Sequence, residues 1–475
     1  MASIGHKSAT TSKVLKALSV FGGVQVVSIL CSVVRTKLAA IWIGPIGVGL
    51  LTVYNSTIDL ISQIAQLNLP QSSVRDLSQN RDDAVLGPQT VAVVRKLAIL
   101  LGVIGLAFVV LSSPLISRFA FGNGEHTWAF VALSVLVLAA AFANGELSIM
   151  RGYDRLRPLA RYSLWTAIGL ICCAVPFFYF FRLRGIVPLL VISTVLSALI
   201  AYLYRVKDIP RVRVSFSQAW QQGRGMLALG VYMTVSSFVT LLSSTLFIVY
   251  LNLNYGETTV GFYQSGYTLV NTYVGLIFNA ITMEYYPRLA SVVRYRHRAE
   301  VVVSHEIKIA LLVLMPVAVC FISFSEVIMR ILYTPEFLSA LPFVVIGATG
   351  VIFRAVSWCM AYVILAKGDG RIYILTETLS AIAYLALYIS LFTNWTFSGL
   401  GWGYLLWYAF YFAVVYLVCR RRYGIRLRSG IGRLTLLALL VVACAVAGYY
   451  TIGPWWTLLL LLPPTLVYSY KRLLR

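Results

Sequence analysis

Charged residues are scarce in this sequence. Only 12% of its 475 residues are Asp, Glu, Lys or Arg, whereas about a quarter of the residues in soluble domains are charged. Hydrophobic residues make up 60% of the chain. This composition excludes a soluble enzyme, a secreted disulfide scaffold and a disordered chain. It predicts an all-α protein that crosses a membrane many times.

Signatures of catalysis and metal binding are also missing. The sequence contains no GxxxxGK[ST], HExxH or GxSxG motif, which excludes a nucleotide-driven pump within this chain. The four histidines and seven cysteines have no metal-ligand spacing. The outside loops are too short for a membrane enzyme such as a polysaccharide polymerase. We therefore expect a protein that is not an enzyme and that has no cofactor and no metal site.

Apolar runs of bilayer-spanning length recur along the chain. We predict fourteen transmembrane helices, at residues 13–42, 46–67, 97–118, 127–150, 162–182, 185–204, 226–252, 258–284, 307–331, 338–366, 372–392, 398–419, 433–450 and 455–470. The even number places both termini on the same side of the membrane.

The positions of Lys and Arg predict which side that is. With a cytoplasmic N-terminus, most of the 39 basic residues fall in inside segments. Those in the outside loops are Arg118, Arg182, Arg184 and Arg330. This distribution follows the positive-inside rule and explains most of the net charge of +23 without a nucleic-acid partner. Both termini are predicted to be cytoplasmic.

The two halves of the chain share a weak repeat. A shift of 212 residues aligns "GPIGVGLLTVYN", which begins at Gly44, with "GETTVGFYQSGY", which begins at Gly256. The repeat predicts two pseudo-symmetric six-helix lobes around a central cavity, at 1–210 and 211–425, followed by two additional helices at 426–475. Internal repeats of this kind are typical of transporters, which bind their substrate between the halves.

Polar residues recur along single faces of several predicted spans, and such residues usually face the bundle interior or a water-filled cavity. The residues that we expect to line the cavity are Gln25, Ser28, Ser32, Asn55, Asp59, Gln63, Gln264, Asn271 and Asn279. Hydrogen bonds between helices in a dry core are the alternative interpretation.

Ionisable residues inside the spans are the strongest functional candidates. Arg35 and Arg354 are predicted to face the cavity. The acids inside spans are Asp59, near the centre of its span, and Glu146, Glu284 and Glu377, nearer the cytoplasmic ends. Asp59 is within reach of Arg35 for a direct or water-bridged contact, and a static salt bridge is the structural alternative.

Several segments resemble the polysaccharide-biosynthesis (Wzx-type O-antigen translocase) family of the multidrug/oligosaccharidyl-lipid/polysaccharide exporter superfamily. They are "LAAIWIGPIGVGLLTVYN" (38–55), "ANGELSIMRGYDRLRPLARYS" (143–163), "MLALGVYMT" (226–234), "VGFYQSGYTL" (260–269), "YYPRLA" (285–290) and "AKGDGRIYI" (366–374). They cover most of the chain up to about residue 420, in the order found in the family. The family usually has twelve helices, and the two additional ones here resemble the lipid II flippase branch, where they help to seat the lipid tail.

The resemblance implies a flippase of the bacterial inner membrane. Its substrate would be an undecaprenyl-diphosphate-linked oligosaccharide, carried from the inner to the outer leaflet among membrane lipids, with a polysaccharide polymerase and chain-length proteins as partners. Arg35 and Arg354 are then candidates for binding the diphosphate, and Asp59, Glu284 and Glu377 are candidates for proton coupling. A multidrug–cation antiporter and a lipid II-type flippase of the same superfamily remain as alternatives.

Overall fold

The computed structural model of the chain describes residues 24, 27–210, 212–428 and 430–473. Among these residues every regular element is helical and none is a strand. In hydrocarbon a segment must satisfy its own backbone N–H and C=O groups, which a helix does without a partner strand. The predicted all-α class is confirmed.

The chain forms two compact units, Met1–Val260 and Gly261–Arg475. The predicted lobes instead divide at residues 210 and 425, and those boundaries stay a prediction. The helices of the first unit are α1 (27–42), α2 (Gly44–Gln66), α3 (Leu69–Gln79), α4 (Leu86–Phe121), α5 (Thr127–Gly152), α6 (Leu156–Pro176), α7 (Ile186–Leu203), α8 (Phe216–Gln222) and the larger part of α9 (Arg224–Tyr267).

The second unit begins within α9, and its other helices follow in chain order. They are α10 (Val274–Val292), α11 (Arg296–Leu332), α12 (Leu341–Gly347), α13 (Gly350–Ala366), α14 (Gly370–Arg422), α15 (Ile431–Thr451) and α16 (Pro454–Leu473). A π-helical segment, Thr268–Tyr273, joins α9 to α10.

The lengths of the helices agree with a polytopic protein. Within the described residues, seven helical segments are long and apolar enough to cross a membrane, and the pair Pro335–Gly347 and Gly350–Ala366, bent by 56°, is an eighth candidate. The 53 residues of α14 exceed what one span needs, and a break at Trp395 and Thr396 divides it where the sequence predicts a loop. α9 is divided in the same way at Gly256. A total of fourteen spans is consistent with these breaks.

The two aligned glycines occupy equivalent backbone positions. Gly44 has φ +62° at the break between α1 and α2, and Gly256 has φ +80° at the break in α9. Glycine adopts such positive φ values without the steric cost of a side chain. A turn of the same kind therefore occurs 212 residues apart, as the repeat predicts.

Close packing near the predicted cytoplasmic ends fixes α3, α4, α5 and α8 in the first unit. Leu77, Leu97 and Ile149 are buried in one hydrophobic cluster that also includes Ala219 of α8. A side chain at Gly152 would overlap Leu77, so glycine allows α3 to pack closely on α5. The two short helices α3 and α8 lie in connections between the predicted spans.

Candidate functional site

In the second unit, the Arg354 side chain is held by two hydrogen bonds and lies near two aromatic rings. Its Nη1 donates to the carbonyl oxygen of Asn271 at 3.0 Å and to Oη of Tyr404 at 3.1 Å. The guanidinium carbon lies 5.2 Å from the ring centroid of Phe278 and 5.7 Å from that of Tyr408. No described carboxylate pairs with Arg354. The protein therefore holds a permanently charged guanidinium in place with neutral partners.

The local sequence explains how this site forms. Asn271 lies in the π-helical segment Thr268–Tyr273, whose wider turns change the backbone hydrogen-bond pattern. Its carbonyl oxygen is the one that accepts from Arg354, and its Nδ2 donates to Oη of Tyr267 at 2.8 Å. A Cβ at Gly275 would lie 3.4 Å from Nη2 of Arg354. A Cβ there would be in ordinary van der Waals contact, so Gly275 borders the guanidinium.

A cluster of aromatic residues adjoins Arg354, and we call it the tyrosine cluster. Its members are Tyr263, Tyr267, Tyr384, Tyr388, Tyr404, Trp407 and Tyr408. The rings of Trp407 and Tyr408 have centroids 4.3 Å apart, and the hydroxyls of Tyr263 and Tyr384 lie 3.1 Å apart. Nε1 of Trp407 donates to Oγ of Ser380 at 2.9 Å. The cluster combines apolar ring faces with hydroxyl groups.

The tyrosine cluster was not predicted from the sequence, because only Gln, Asn, Ser and charged residues were considered as cavity lining. A signal was present. Tyr404, Trp407, Tyr408 and Tyr411 follow one another at spacings of three, one and three residues, which places them on one helical face.

Glu377 lies beside the same helical face. Oη of Tyr411 donates to its Oε1 at 2.6 Å, which is typical of an O–H···O⁻ hydrogen bond. Both residues belong to α14, on either side of the break at Trp395 and Thr396. Glu377 is half-buried, and its predicted part in proton coupling stays a prediction.

In the first unit, α1 and α2 carry the predicted polar residues. Ser28, Ser32, Arg35, Asn55 and Gln63 are all half-buried, as expected for side chains that border solvent or a cavity. Asp59 is exposed, and among the described residues it forms no ion pair with Arg35. The salt-bridge alternative for this pair is therefore not what the structure contains.

The remaining predicted lining residues contact neighbours on their own helix or lie outside the residues that the structure describes. Nε2 of Gln264 lies 3.3 Å from Oγ1 of Thr268, one turn along its own helix. Gln25 and the side chains of Asn279 and Glu284 lie outside the described residues. The predicted roles of all three stay predictions.

Glu146 has a partner that sequence analysis did not identify. Arg95 on α4 donates from Nε and Nη2 to the two carboxylate oxygens of Glu146 on α5, at 2.7 and 2.9 Å. The Glu146 side chain is only 1% exposed. In the second unit Arg288 and Glu306 form a similar ion pair between α10 and α11. These two acids stabilise helix pairs and are distinct from the residues around Arg354.

Comparison with known sequences places the chain in a family. The model of the polysaccharide biosynthesis protein family matches residues 14–293. The lipid III flippase of Escherichia coli (strain K12) is 23% identical over 409 residues, which cover 81% of this chain and 94% of that protein. The lipid III flippase of Shigella flexneri matches to the same extent.

Solved structures share the fold. The lipid II flippase MurJ in an inward closed conformation matches with a TM-score of 0.70 at 13% identity, over 96% of this chain and 99% of that one. An inward-facing multidrug resistance MATE family transporter of the MOP superfamily matches with a TM-score of 0.67 at 16% identity, over 86% of this chain and 96% of that one. The resemblance predicted from the sequence is confirmed: the chain belongs to the polysaccharide biosynthesis protein family and has the fold of MOP superfamily transporters.

Proposed function

We propose that this protein is a flippase for a polyprenyl-diphosphate-linked oligosaccharide, an O-antigen or exopolysaccharide repeat unit. It carries this lipid from the cytoplasmic to the periplasmic leaflet of the bacterial inner membrane, with both termini in the cytoplasm. Family membership and the two lipid III flippase relatives support the substrate class. The observation that carries the proposal is the site of Arg354.

A diphosphate has to be sheltered during the crossing because burying an uncompensated charge in hydrocarbon is very costly. Arg354 offers a guanidinium that is oriented by Asn271 and Tyr404 through a single nitrogen, Nη1. Its other N–H groups suit phosphate oxygens, which Arg binds with fork geometry. We propose that Arg354 binds the diphosphate, and that Arg35 on α1 is a second ligand.

The half-buried members of the tyrosine cluster, Tyr267, Trp407 and Tyr408, suit the sugar portion of the substrate. Ring faces such as that of Trp407 offer apolar contact area, and tyrosine hydroxyls both donate and accept hydrogen bonds. Sites for organic ligands typically combine many such surfaces with a few fixed polar groups. The same pattern surrounds Arg354.

The energetics favour outward movement. One negative charge that leaves an inside-negative cell gains about 2.3 kcal/mol per 100 mV. Protons can return the carrier to its starting conformation, and we propose Asp59, Glu284 and Glu377 as their acceptors. A polysaccharide polymerase and chain-length proteins would then use the exported units.

A second candidate is a lipid II-type flippase. The helices α15 and α16, beyond the family's usual twelve, and the structural match to MurJ over 96% of the chain favour it. A multidrug–cation antiporter fits less well, because Arg354 would repel a cationic drug from the tyrosine cluster.

The test is a flipping assay in proteoliposomes. A fluorescent polyprenyl-diphosphate-oligosaccharide is placed in both leaflets, and a reductant added outside bleaches only the molecules that are exposed there. We expect Arg354→Ala to slow flipping to near the protein-free rate, and Arg354→Lys to restore it only in part because the ammonium lacks the fork.

Arg371→Ala is the matched control, since Arg371 is an exposed arginine at the start of α14. It should flip at the wild-type rate. Wild-type rates in the Arg354 variants would contradict the site assignment. Transport of lipid II, or of an organic cation, in place of the oligosaccharide lipid would favour the corresponding alternative.

A further inference from the structure

A second cationic site lies in the second unit, among α11, α15 and α16. A cavity of about 650 Å³ opens there, and its lining includes His305, Lys308, Arg428, Arg433 and Arg472. None of the described residues that line it is a carboxylate. It is formed by other residues than those around Arg354 and lies at the helix ends that the charge distribution predicts to be cytoplasmic.

The cavity follows from the spacing of residues on α11. Val301, Ser304, His305, Lys308 and Leu312 follow one another at spacings of three, one, three and four residues, so they share one helical face. Oγ of Ser304 accepts a hydrogen bond from the backbone N–H of Arg428 at 3.2 Å. This contact holds the segment before α15 against α11 and brings Arg428 to the cavity.

The two acids nearest in sequence on α11 are engaged elsewhere. Glu306 pairs with Arg288. Glu300 pairs with Arg296 and accepts a hydrogen bond from the backbone N–H of Arg426 at 2.9 Å. The basic groups of the cavity therefore have no protein carboxylate to balance them within the described residues. Like charges that converge in one cavity repel, and an anion relieves that repulsion.

Apolar side chains complete the lining. Leu312, Leu434 and Leu437 line the cavity together with the basic groups, and the guanidinium carbon of Arg472 lies 5.7 Å from the ring centroid of Tyr468. The volume is in the range of sites for organic ligands and is much larger than one phosphate ion needs. Cationic groups beside leucines suit a ligand with a phosphate group and hydrocarbon chains.

We propose that this cavity binds an anionic phospholipid of the cytoplasmic leaflet through its phosphate group. Basic pockets between transmembrane helices on the cytoplasmic side are suited to such headgroups. Lys308, Arg428, Arg433 and Arg472 contact the headgroup, and the leucines contact the first part of the acyl chains. The bound lipid links α15 and α16 to α11.

Native mass spectrometry of the full chain tests the proposal, with phosphatidylglycerol titrated against phosphatidylcholine. We expect phosphatidylglycerol to be retained selectively. The double variant Lys308→Gln/Arg433→Gln should bind it roughly 30-fold more weakly, from about one charge interaction per basic residue. The variant Arg428→Gln/Arg472→Gln tests the same cavity from its other side, should either substitution in the first variant impair folding.

The matched control is Arg420→Gln/Arg421→Gln, which removes the same charge from exposed positions at the end of α14. It should bind phosphatidylglycerol within about threefold of the wild type. Equal losses in the control and cavity variants would overturn the proposal in favour of general surface charge. Displacement of the lipid by millimolar inorganic phosphate would overturn it in favour of a site for free phosphate. Flipping is not the readout, so failure here is distinguishable from failure of the proposed function.

Discussion

The geometry and burial of the ion pair between Arg95 and Glu146 predict how much the free energy of unfolding falls when the pair is broken. The pair is bidentate at 2.7 and 2.9 Å, and the carboxylate side is 1% exposed while the guanidinium side is 27% exposed. Removing one partner of a buried pair leaves an uncompensated charge, which costs about 3–5 kcal/mol. We expect Arg95→Met to lose about 3 kcal/mol, near the lower limit, because Arg95 is partly exposed.

The double variant Arg95→Met/Glu146→Leu should recover much of this loss. Replacing both partners of a buried pair with apolar residues of similar volume is often neutral. The coupling energy between the two positions is therefore expected to be large, at least about 1.5 kcal/mol in the range seen for contacting residues.

The pair between Arg330 and Glu326 is the matched control. Its distance is also 2.7 Å, but its side chains are 53% and 39% exposed. Exposed pairs contribute about 1 kcal/mol or less, so Arg330→Met should change the free energy of unfolding by less than that. The two pairs differ in burial, and the exposed pair also lies within one helix rather than between two.

The assay is thermal unfolding of the purified protein in detergent, with each variant measured at the same protein and lipid concentration. The loss at Arg95 should lower the midpoint by roughly 6–12 °C, from about 2–4 °C per kcal/mol for a domain of this size. Equal midpoints for Arg95→Met and Arg330→Met, or additive losses in the double variant, would refute the reasoning.

Three further outcomes follow from the described contacts. Tyr404→Phe removes one of the two acceptors of Arg354, and flipping should fall by roughly tenfold, the effect of about 1.4 kcal/mol, while the protein remains folded by circular dichroism. Gly49→Ala places a Cβ against the carbonyl oxygen of Glu257, so the yield of folded protein in size-exclusion chromatography should drop, and an unchanged profile would contradict this close approach. Glu377→Gln should abolish the dependence of flipping on an imposed proton gradient, and an unaltered dependence would exclude Glu377 as a proton acceptor.

Much of the fold was predictable from the sequence because hydrocarbon restricts a spanning segment to few conformations. The breaks at Gly256 and at Trp395 and Thr396 occur where short polar or glycine-containing stretches interrupt apolar runs. The positive φ values at Gly44 and Gly256 also agree with the internal repeat. These features depend on local sequence, and local sequence was enough to find them.

The pairing of charges was not predictable to the same degree. By its position in the sequence, Arg95 belongs to a predicted cytoplasmic segment. The neighbouring sequence does not indicate that it pairs with Glu146, which lies 51 residues further along the chain. The contact depends on the rotation and depth of α4 relative to α5. The described residues contain no direct ion pair between Arg35 and Asp59 for the same reason, since positions along α1 and α2 do not fix which helix faces meet.

The tyrosine cluster was overlooked for a different reason. Aromatic residues in spans usually pack in the core, so Tyr384 or Tyr404 alone carries no functional signal. The contact of Tyr404 with Arg354 depends on how α13 packs against α14, and that of Tyr384 with Tyr263 depends on how α9 packs against α14. Arg354 itself was predicted as a functional candidate, because a charged residue inside an apolar span is energetically costly and is usually functional.

In the proposed function, the half-buried hydroxyl-bearing residues Tyr267 and Tyr408 near Arg354 have a consequence for the range of substrates. A phenolic group reverses its hydrogen-bonding role by rotating about one bond, so it accommodates an axial or an equatorial sugar hydroxyl without any change in the backbone. Strict recognition then rests with the phosphorylated end, which is common to all such lipids. A bacterium that alters the sugars of its coat would not need to replace this protein.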